Sequence, residues 1–336
     1  MDLFATPGNP IPPGAIISAA RTADGLTLRV ARWVARRDGR GTVLIAMGRS
    51  EFIEEYFEVV SDLLDRRFDV VIMDWRGQGQ SDREITRRRR GHVAHFDAYQ
   101  NDLAAIEDQI LRPFAPKPWF ALGHSMGGAV LLDQAHAGRS PFARLVLSAP
   151  MIDLPLRFRN SVARFMAVMS RIGFGTMLIP GGVEDSIFKR GFAGNPLTSD
   201  AKRYDRTSVA IEQSPHLAVG APTIGWLDAA FRLMNRFRHP RFAIDTVTPT
   251  LIIAAGSDRI VDTSATERFA ARLKAGRCIT LAESRHEIIM ERDEIRERFW
   301  AAFDAFVPGF ESEYAGREVG TVDHQRTTTL APTETR

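Results

Sequence analysis

The sequence is short of several things, and each shortage excludes a class of protein. It has one cysteine in 336 residues, so no internal disulfide framework can form, which fits a reducing compartment. That residue, Cys278, lies in the apolar-flanked run RCITL and reads as a buried structural thiol rather than a nucleophile. No apolar run approaches the roughly 18 residues of a membrane span. The amino terminus, MDLFATPGNPIPPG, has acid, proline and glycine where a secretion signal needs basic residues and then an apolar stretch. A cytoplasmic, soluble protein is expected, with contact at the inner face of a membrane left open. Charge of one sign is scarce too. The formal net charge is +3, with no concentrated basic stripe or motif, so no nucleic-acid partner is expected. Nor is any cofactor or metal ion expected.

What is present is ordinary globular composition, 44% hydrophobic and 25% charged, arranged in three regions and a tail. Over residues 1–150, short apolar runs alternate with helical periodicity. Leu26 to Val34 reads as an early strand, and TVLIAM, DVVIMD, WFALG and ARLVLSAP as buried ones. Helical faces lie between them, over Phe52 to Leu64 and along Tyr99, Leu103, Ile106 and Ile110. This order implies a mostly parallel sheet with crossover helices, an α/β fold. From 151 to 240 the rhythm breaks into amphipathic pieces with Gly, Pro and many Arg, which reads as an inserted helical cap. It resumes over 241–310 with TPTLIIAAGSD, a helix carrying Phe269 and Leu273, the strand CITLA, and a helix carrying Ile295, Phe299, Phe303 and Phe306. Residues 311–336 are polar and aperiodic and read as a disordered tail.

Chemistry centres on GHSMGG, in which Gly123, Ser125 and Gly127 match Gly-x-Ser-x-Gly. The pattern alone is weak, with about 0.1 chance matches expected in a chain this long. Its context is specific, because a strand pattern runs into it and a helical pattern, Ala129 to Ala137, runs out. That is the nucleophile elbow, in which serine sits on a strained strand-to-helix turn and glycines allow the close packing around it. Serine needs a base to become nucleophilic, and this fold places nucleophile, acid and histidine in that chain order. Of eight histidines, His92, His95 and His124 come too early and His136 lies down the following helix. His216 and His239 fall in or beside the cap, and His324 falls in the tail. His286, in ESRHEII between the last strand and the last helix, is left as the base. The acid should follow TLIIAA, which makes Asp258 the first choice and Asp262 the alternative, the latter also suited to capping the next helix. The oxyanion donors should be two backbone N–H groups, those of Met126 and Arg49.

The runs MGRSEFIEEY, DVVIMDWRGQGQSDR, RGHVAHFDAYQNDL, GHSMGGA, VGAPTIGWL, GSDRIVD and RHEII resemble the bacterial lysophospholipase and monoacylglycerol lipase group of the α/β-hydrolase superfamily. The similarity extends over about residues 15 to 307. It implies a serine esterase acting on single-chain acyl glycerolipids, with Ser125, Asp258 and His286 matching the triad and Arg49 and Met126 the oxyanion donors. One departure is Met47-Gly48, where many relatives have His-Gly; Glu51 of the wider motif is kept.

Weaker signals leave alternatives open. Arg87 to Arg90 reads as a solvated loop or as a contact for a phosphate group or anionic membrane. Phe165, Met166, Met169 and Met177 would line an acyl channel or form the cap's own small core. Asp74, at a strand end, reads as a loop organiser. A general carboxylesterase, thioesterase or aminopeptidase, and a non-catalytic binding protein on the same scaffold, are the competing functions.

Overall fold

A computed structural model describes residues 1–35 and 39–307; the expected tail lies outside the described residues. Eight strands form one sheet in the order β1-β2-β4-β3-β5-β6-β7-β8. β3 (Thr42–Ala46), β4 (Asp69–Met73), β5 (Trp119–His124), β6 (Arg144–Ser148), β7 (Thr250–Ala255) and β8 (Gly276–Leu281) run parallel. The central strands are apolar and buried along their whole length, as strands covered by helices on both faces must be. β2 (Thr27–Trp33) runs antiparallel to β4, and β1 (Ile16–Arg21) runs antiparallel to β2 at the edge. β1 has no counterpart in the sequence reading. Its segment, IISAAR, is mostly exposed and carries neither a buried run nor a clear alternation.

The helices follow the apolar periodicities. α1 (Phe57–Asp65) buries Phe57, Val59, Val60 and Leu63 after a 3₁₀ turn over Ile53–Tyr56. α2 (Asp97–Ile106) passes through a π turn into the short α3 (Arg112–Phe114). α4 (Ser125–His136) leaves directly from the end of β5. Between β6 and β7 lie α5 (Arg159–Met169), α6 (Ala201–Gln213), α7 (Ile224–Phe237) and α8 (Pro240–Asp245). α9 (Thr263–Ala270) and α10 (Asp293–Phe306) are the last helices among the described residues.

The segment between β6 and β7 has two attachments. Phe231, Met234 and Phe237 of α7 join the main core, whereas Phe188, Leu197, Tyr204, Ile211 and Leu217 form a smaller cluster around Phe52. Arg203 and Arg206 of α6 pair with Glu58 of α1 at 2.7 and 2.8 Å, which ties this segment to the sheet-covering helices.

One sequence expectation fails here. Cys278 is exposed, because β8 is the outer strand of the sheet and its residues from Arg277 to Thr280 stand at that edge. Neighbouring protein atoms and the carboxylate of Glu267 nonetheless raise the thiol above its ordinary pKa, so it is less reactive than a free cysteine. Asp74 behaves as expected of a loop organiser. Wholly buried, it pairs with Arg29 Nε at 2.6 Å and accepts from the N–H groups of Ile53 and Gln80. Arg29 also pairs with buried Glu54 at 2.7 Å.

Candidate active site

Ser125 stands where β5 becomes α4, with φ at +46°, a left-handed conformation that a non-glycine residue adopts only when its surroundings enforce it. The enforcement is steric. A Cβ on Gly127 would lie 2.0 Å from the Ala46 carbonyl oxygen, and one on Gly123 would lie 2.8 Å from Leu131 Cδ1. The turn is therefore packed against β3 and α4 at distances that only glycine permits.

His286 follows β8 and Asp258 follows β7, so the parallel sheet brings three loop ends together on one side. His286 Nδ1 lies 2.8 Å from Asp258 Oδ2. The other oxygen, Oδ1, accepts from the N–H groups of Ile260 at 2.7 Å and Val261 at 2.9 Å. Burial alone would raise the Asp258 pKa, but His286 and these N–H groups outweigh it and hold it below the ordinary aspartate value. Asp262 is committed elsewhere, since it caps α9 by accepting from Ala265 N at 2.9 Å.

The loop after β3 lines the same cavity as Ser125 and His286. Gly48 N donates to Glu51 Oε2 at 2.5 Å and Ser50 N donates to Gln78 Oε1 at 2.5 Å. Between them, Arg49 N is left without a protein partner among the described residues. The Arg49 side chain runs away from its backbone, donating from both terminal nitrogens to Gly220 O at 2.9 Å and stacking over Trp226. Burial takes its pKa down to about 10. Met126, the second expected donor, sits in the first turn of α4, where N–H groups lack intrahelical acceptors.

Ser125, His286 and Arg49 all line one cavity of about 340 Å³. Its apolar wall comes from Ile179, Val183, Phe188, Leu197 and Val219. The Met and Phe stripe, read from sequence as either an acyl-channel lining or the cap's own small core, does not line this cavity. Met166 is buried against the main core with Met169 beside it, while Phe165 and Met177 are each 49% exposed. A helical repeat marks an apolar face without saying toward which neighbour it turns. The Arg87 to Arg90 run is partly paired rather than simply solvated, with Arg90 Nε 2.8 Å from Glu184 and Arg89 3.6 Å from Asp185, at the cavity's rim.

Several buried polar residues beside the site were not anticipated. His124 Nδ1 faces Ser148 O at 3.1 Å, and Nε2 faces Glu287 Oε2 at 3.1 Å and Glu51 Oε1 at 3.4 Å. Neither carboxylate is aligned for a good hydrogen bond to that nitrogen, so the contact is one of charge. Tyr56 OH donates to Glu51 Oε2 at 2.5 Å, and nearby Glu55 is buried with both oxygens unpartnered. Burial opposes charge on His124, but Glu287 and Glu51 outweigh it and lift its pKa to about 9. Burial and Glu287 raise Glu51 to about 8, and burial raises Glu55 well above the ordinary range. Glu287 is held low against burial by His124. The signal available in the sequence was adjacency. A titratable residue stands directly beside each of Ser125 and His286: His124 before Ser125 at the end of a buried strand where polar side chains are rare, and Glu287 after His286 in the loop beyond the last strand.

Among the described residues, His124, His286 and Glu287 are the group with metal-ligand types, their ligand atoms lying within 4.8 Å of one another. His286 Nδ1 is already engaged by Asp258, and the two His124 nitrogens by Ser148 and the carboxylates, so the set is arranged as charge pairs. No helix among the described residues is long and apolar enough to cross a membrane.

Comparison with known proteins identifies the family and the fold. Residues 37–293 match the model of a family described as "Serine aminopeptidase, S33". The chain is 32% identical over 286 residues to lysophospholipase L2 of Escherichia coli K12, covering 81% of this chain and 82% of that one. It is 25% identical to the human monoglyceride lipase over 243 residues, 71% of this chain and 72% of that protein. In fold it is similar to a soluble variant of the Saccharomyces cerevisiae monoglyceride lipase. That similarity has a TM-score of 0.69 at 17% identity and covers 91% of this chain and 99% of that one.

Proposed function

The chain belongs to the serine aminopeptidase S33 family, within the lysophospholipase and monoacylglycerol lipase group of the α/β-hydrolase superfamily, and from this we propose that Ser125, His286 and Asp258 hydrolyse single-chain acyl glycerolipids. One observation carries the assignment of residues. A serine held at φ +46° opens on the same cavity as a histidine whose Nδ1 is 2.8 Å from a buried carboxylate.

The chemistry follows from that arrangement. Asp258 accepts a hydrogen bond from Nδ1–H of His286, which fixes the tautomer that leaves Nε2 free as a base. His286 takes the Ser125 hydroxyl proton as the oxygen attacks the ester carbonyl, and the developing oxyanion is met by Arg49 N and Met126 N. The proton passes to the leaving alkoxide as the acyl-enzyme forms. Water, deprotonated by His286, then releases the fatty acid and restores the serine. The apolar wall of the cavity suits an acyl chain, and the relatives named lysophospholipase and monoglyceride lipase support a lipid ester as substrate.

A lipid surface is also part of this reading. Phe158, Phe165, Val168 and Ile172 recur at helical spacing along α5 and its extension, all between 49% and 66% exposed, with Arg157, Arg164 and Arg171 exposed beside them. An outward apolar face flanked by arginines is suited to lying in the headgroup region of an anionic membrane.

The deciding experiment is a substrate panel of lysophosphatidylcholine, monoacylglycerol, short p-nitrophenyl esters and an aminoacyl amide. Turnover of the two lipids above the short ester and amide is expected. Preference for the short ester or the amide would contradict the lipid assignment while leaving the hydrolase intact.

A further inference from the structure

The three segments that meet at Ser125 are joined behind it by a buried group that the hydrolytic steps do not use. His124 precedes the nucleophile, Glu287 follows the base, and Glu51 lies two residues beyond Arg49. All three side chains are nine-tenths or more buried. His124 Nε2 stands 3.1 Å from Glu287 and 3.4 Å from Glu51, and its ring lies 4.8 Å from that of His286. Glu51 in turn receives Gly48 N at 2.5 Å, the N–H next to the proposed oxyanion donor.

We propose that a protonated His124 clamps Glu287 and Glu51 together and thereby sets the relative positions of the His286 imidazole and the Arg49 N–H. Glu287, Glu51 and His124 are thus positioning residues, and the inference rests on Ser125 being the nucleophile. A cation here has a clear reason. Two carboxyl groups face the ring from the loops after β3 and β8; Glu51, raised to about 8, is protonated at neutral pH, and the Glu287 carboxylate would be buried without a counter-charge were the ring neutral. The other titratable groups facing the cluster are Asp258 and His286 from the loops after β7 and β8, and Tyr56 and Glu55 from the turn before α1. Glu55, raised well above its usual range, stays neutral, so the cluster at neutral pH holds one imidazolium against the Glu287 carboxylate. The cost of losing the clamp is misplacement. Shifts near 1 Å at a catalytic group reduce rate by about a hundredfold.

Raising the pH should undo the clamp, since Glu51 ionises near 8 and His124 loses its proton near 9. The group then changes from balanced to net negative, and kcat should fall above pH 8.

The test is kcat and KM for a short p-nitrophenyl ester from pH 6 to 10 in the wild type, Glu287→Gln and Glu51→Gln, with fluorophosphonate labelling in parallel. Glu287→Gln should lower kcat by about tenfold to a hundredfold with a smaller change in KM, and should move the alkaline limb to lower pH because the imidazolium has lost its main partner. Glu51→Gln should leave a single alkaline step in place of two, set by His124 alone and displaced below its wild-type value, because Glu51 is one of the two carboxylates that raise it. Should Glu287→Gln not fold, the Glu51→Gln limb decides: displaced supports the clamp, unmoved overturns it. Labelled variants with wild-type kcat and pH profile would overturn the clamp alone. An unlabelled wild type would instead contradict the hydrolase reading beneath it.

Discussion

The sheet side of the molecule and the segment between β6 and β7 place their side chains in opposite ways. Around the sheet, charge is buried and paired, as in Arg29 with Glu54 and Asp74, and His124 with Glu287. Between β6 and β7, apolar groups face solvent along α5 and its extension, from Phe158 to Ile172. Buried pairs contribute little net stability against apolar replacements, yet each becomes costly when one partner is lost, so they hold loops in a single arrangement. Exposed apolar residues lower solubility and hold nothing in place unless a surface covers them. The difference separates a half whose buried pairs hold the loops at the site from a segment whose exposed apolar face we propose for lipid contact.

Four changes would break or sharpen that contrast, in order of expected effect. Asp258→Asn should lower kcat by about 10³- to 10⁴-fold, since the amide favours the wrong imidazole tautomer. Steady-state kinetics on any accepted ester would show it, and a loss under tenfold would mean that Asp258 does not orient His286. Arg29→Met should destabilise the fold by about 3–5 kcal/mol, because two carboxylates would remain buried without their cation. Urea unfolding measures this, and a loss below about 1 kcal/mol would show that the pairing is dispensable.

The third change concerns the join between the halves. Glu58 is pushed down to about 2, the guanidinium groups of Arg203, Arg296 and Arg206 outweighing its burial. A carboxylate depressed in the folded state stabilises it above the unfolded pKa, near 4.5 here, and that contribution disappears as pH falls toward 2. About 1–2 kcal/mol should be lost over that window after solvent screening, and Glu58→Gln should remove this portion of the acid dependence. Identical acid profiles for the two proteins in thermal melts would contradict the assignment. The smallest effect is expected from Phe165→Asp with Ile172→Asp, which should weaken co-sedimentation with anionic vesicles by about threefold to tenfold. Undiminished co-sedimentation would remove this face from the lipid contact.

The sequence made legible whatever is local and repeated. The buried strands are continuous apolar runs because helices cover both their faces, and the elbow announced itself through glycines placed between a strand and a helix. Asp258 and Asp262 could be ranked only by nearness to the strand end; the hydrogen bonds of the two carboxylates separate them in space. What stayed illegible depends on neighbours distant in the chain. Cys278 has an apolar context but sits on an outer strand, the Phe and Met stripe gave no hint of which side it faces, and β1 is too exposed to carry a pattern. His124 was set aside as a base by its position, and only folding brings Glu51 and Glu287 to it.

The most direct test of the central assignment is mass spectrometry of the intact and digested protein after exposure to a fluorophosphonate. One adduct on the peptide carrying Ser125, absent from Ser125→Ala, is the predicted result. An unlabelled wild type, or an adduct that persists in Ser125→Ala, would contradict it.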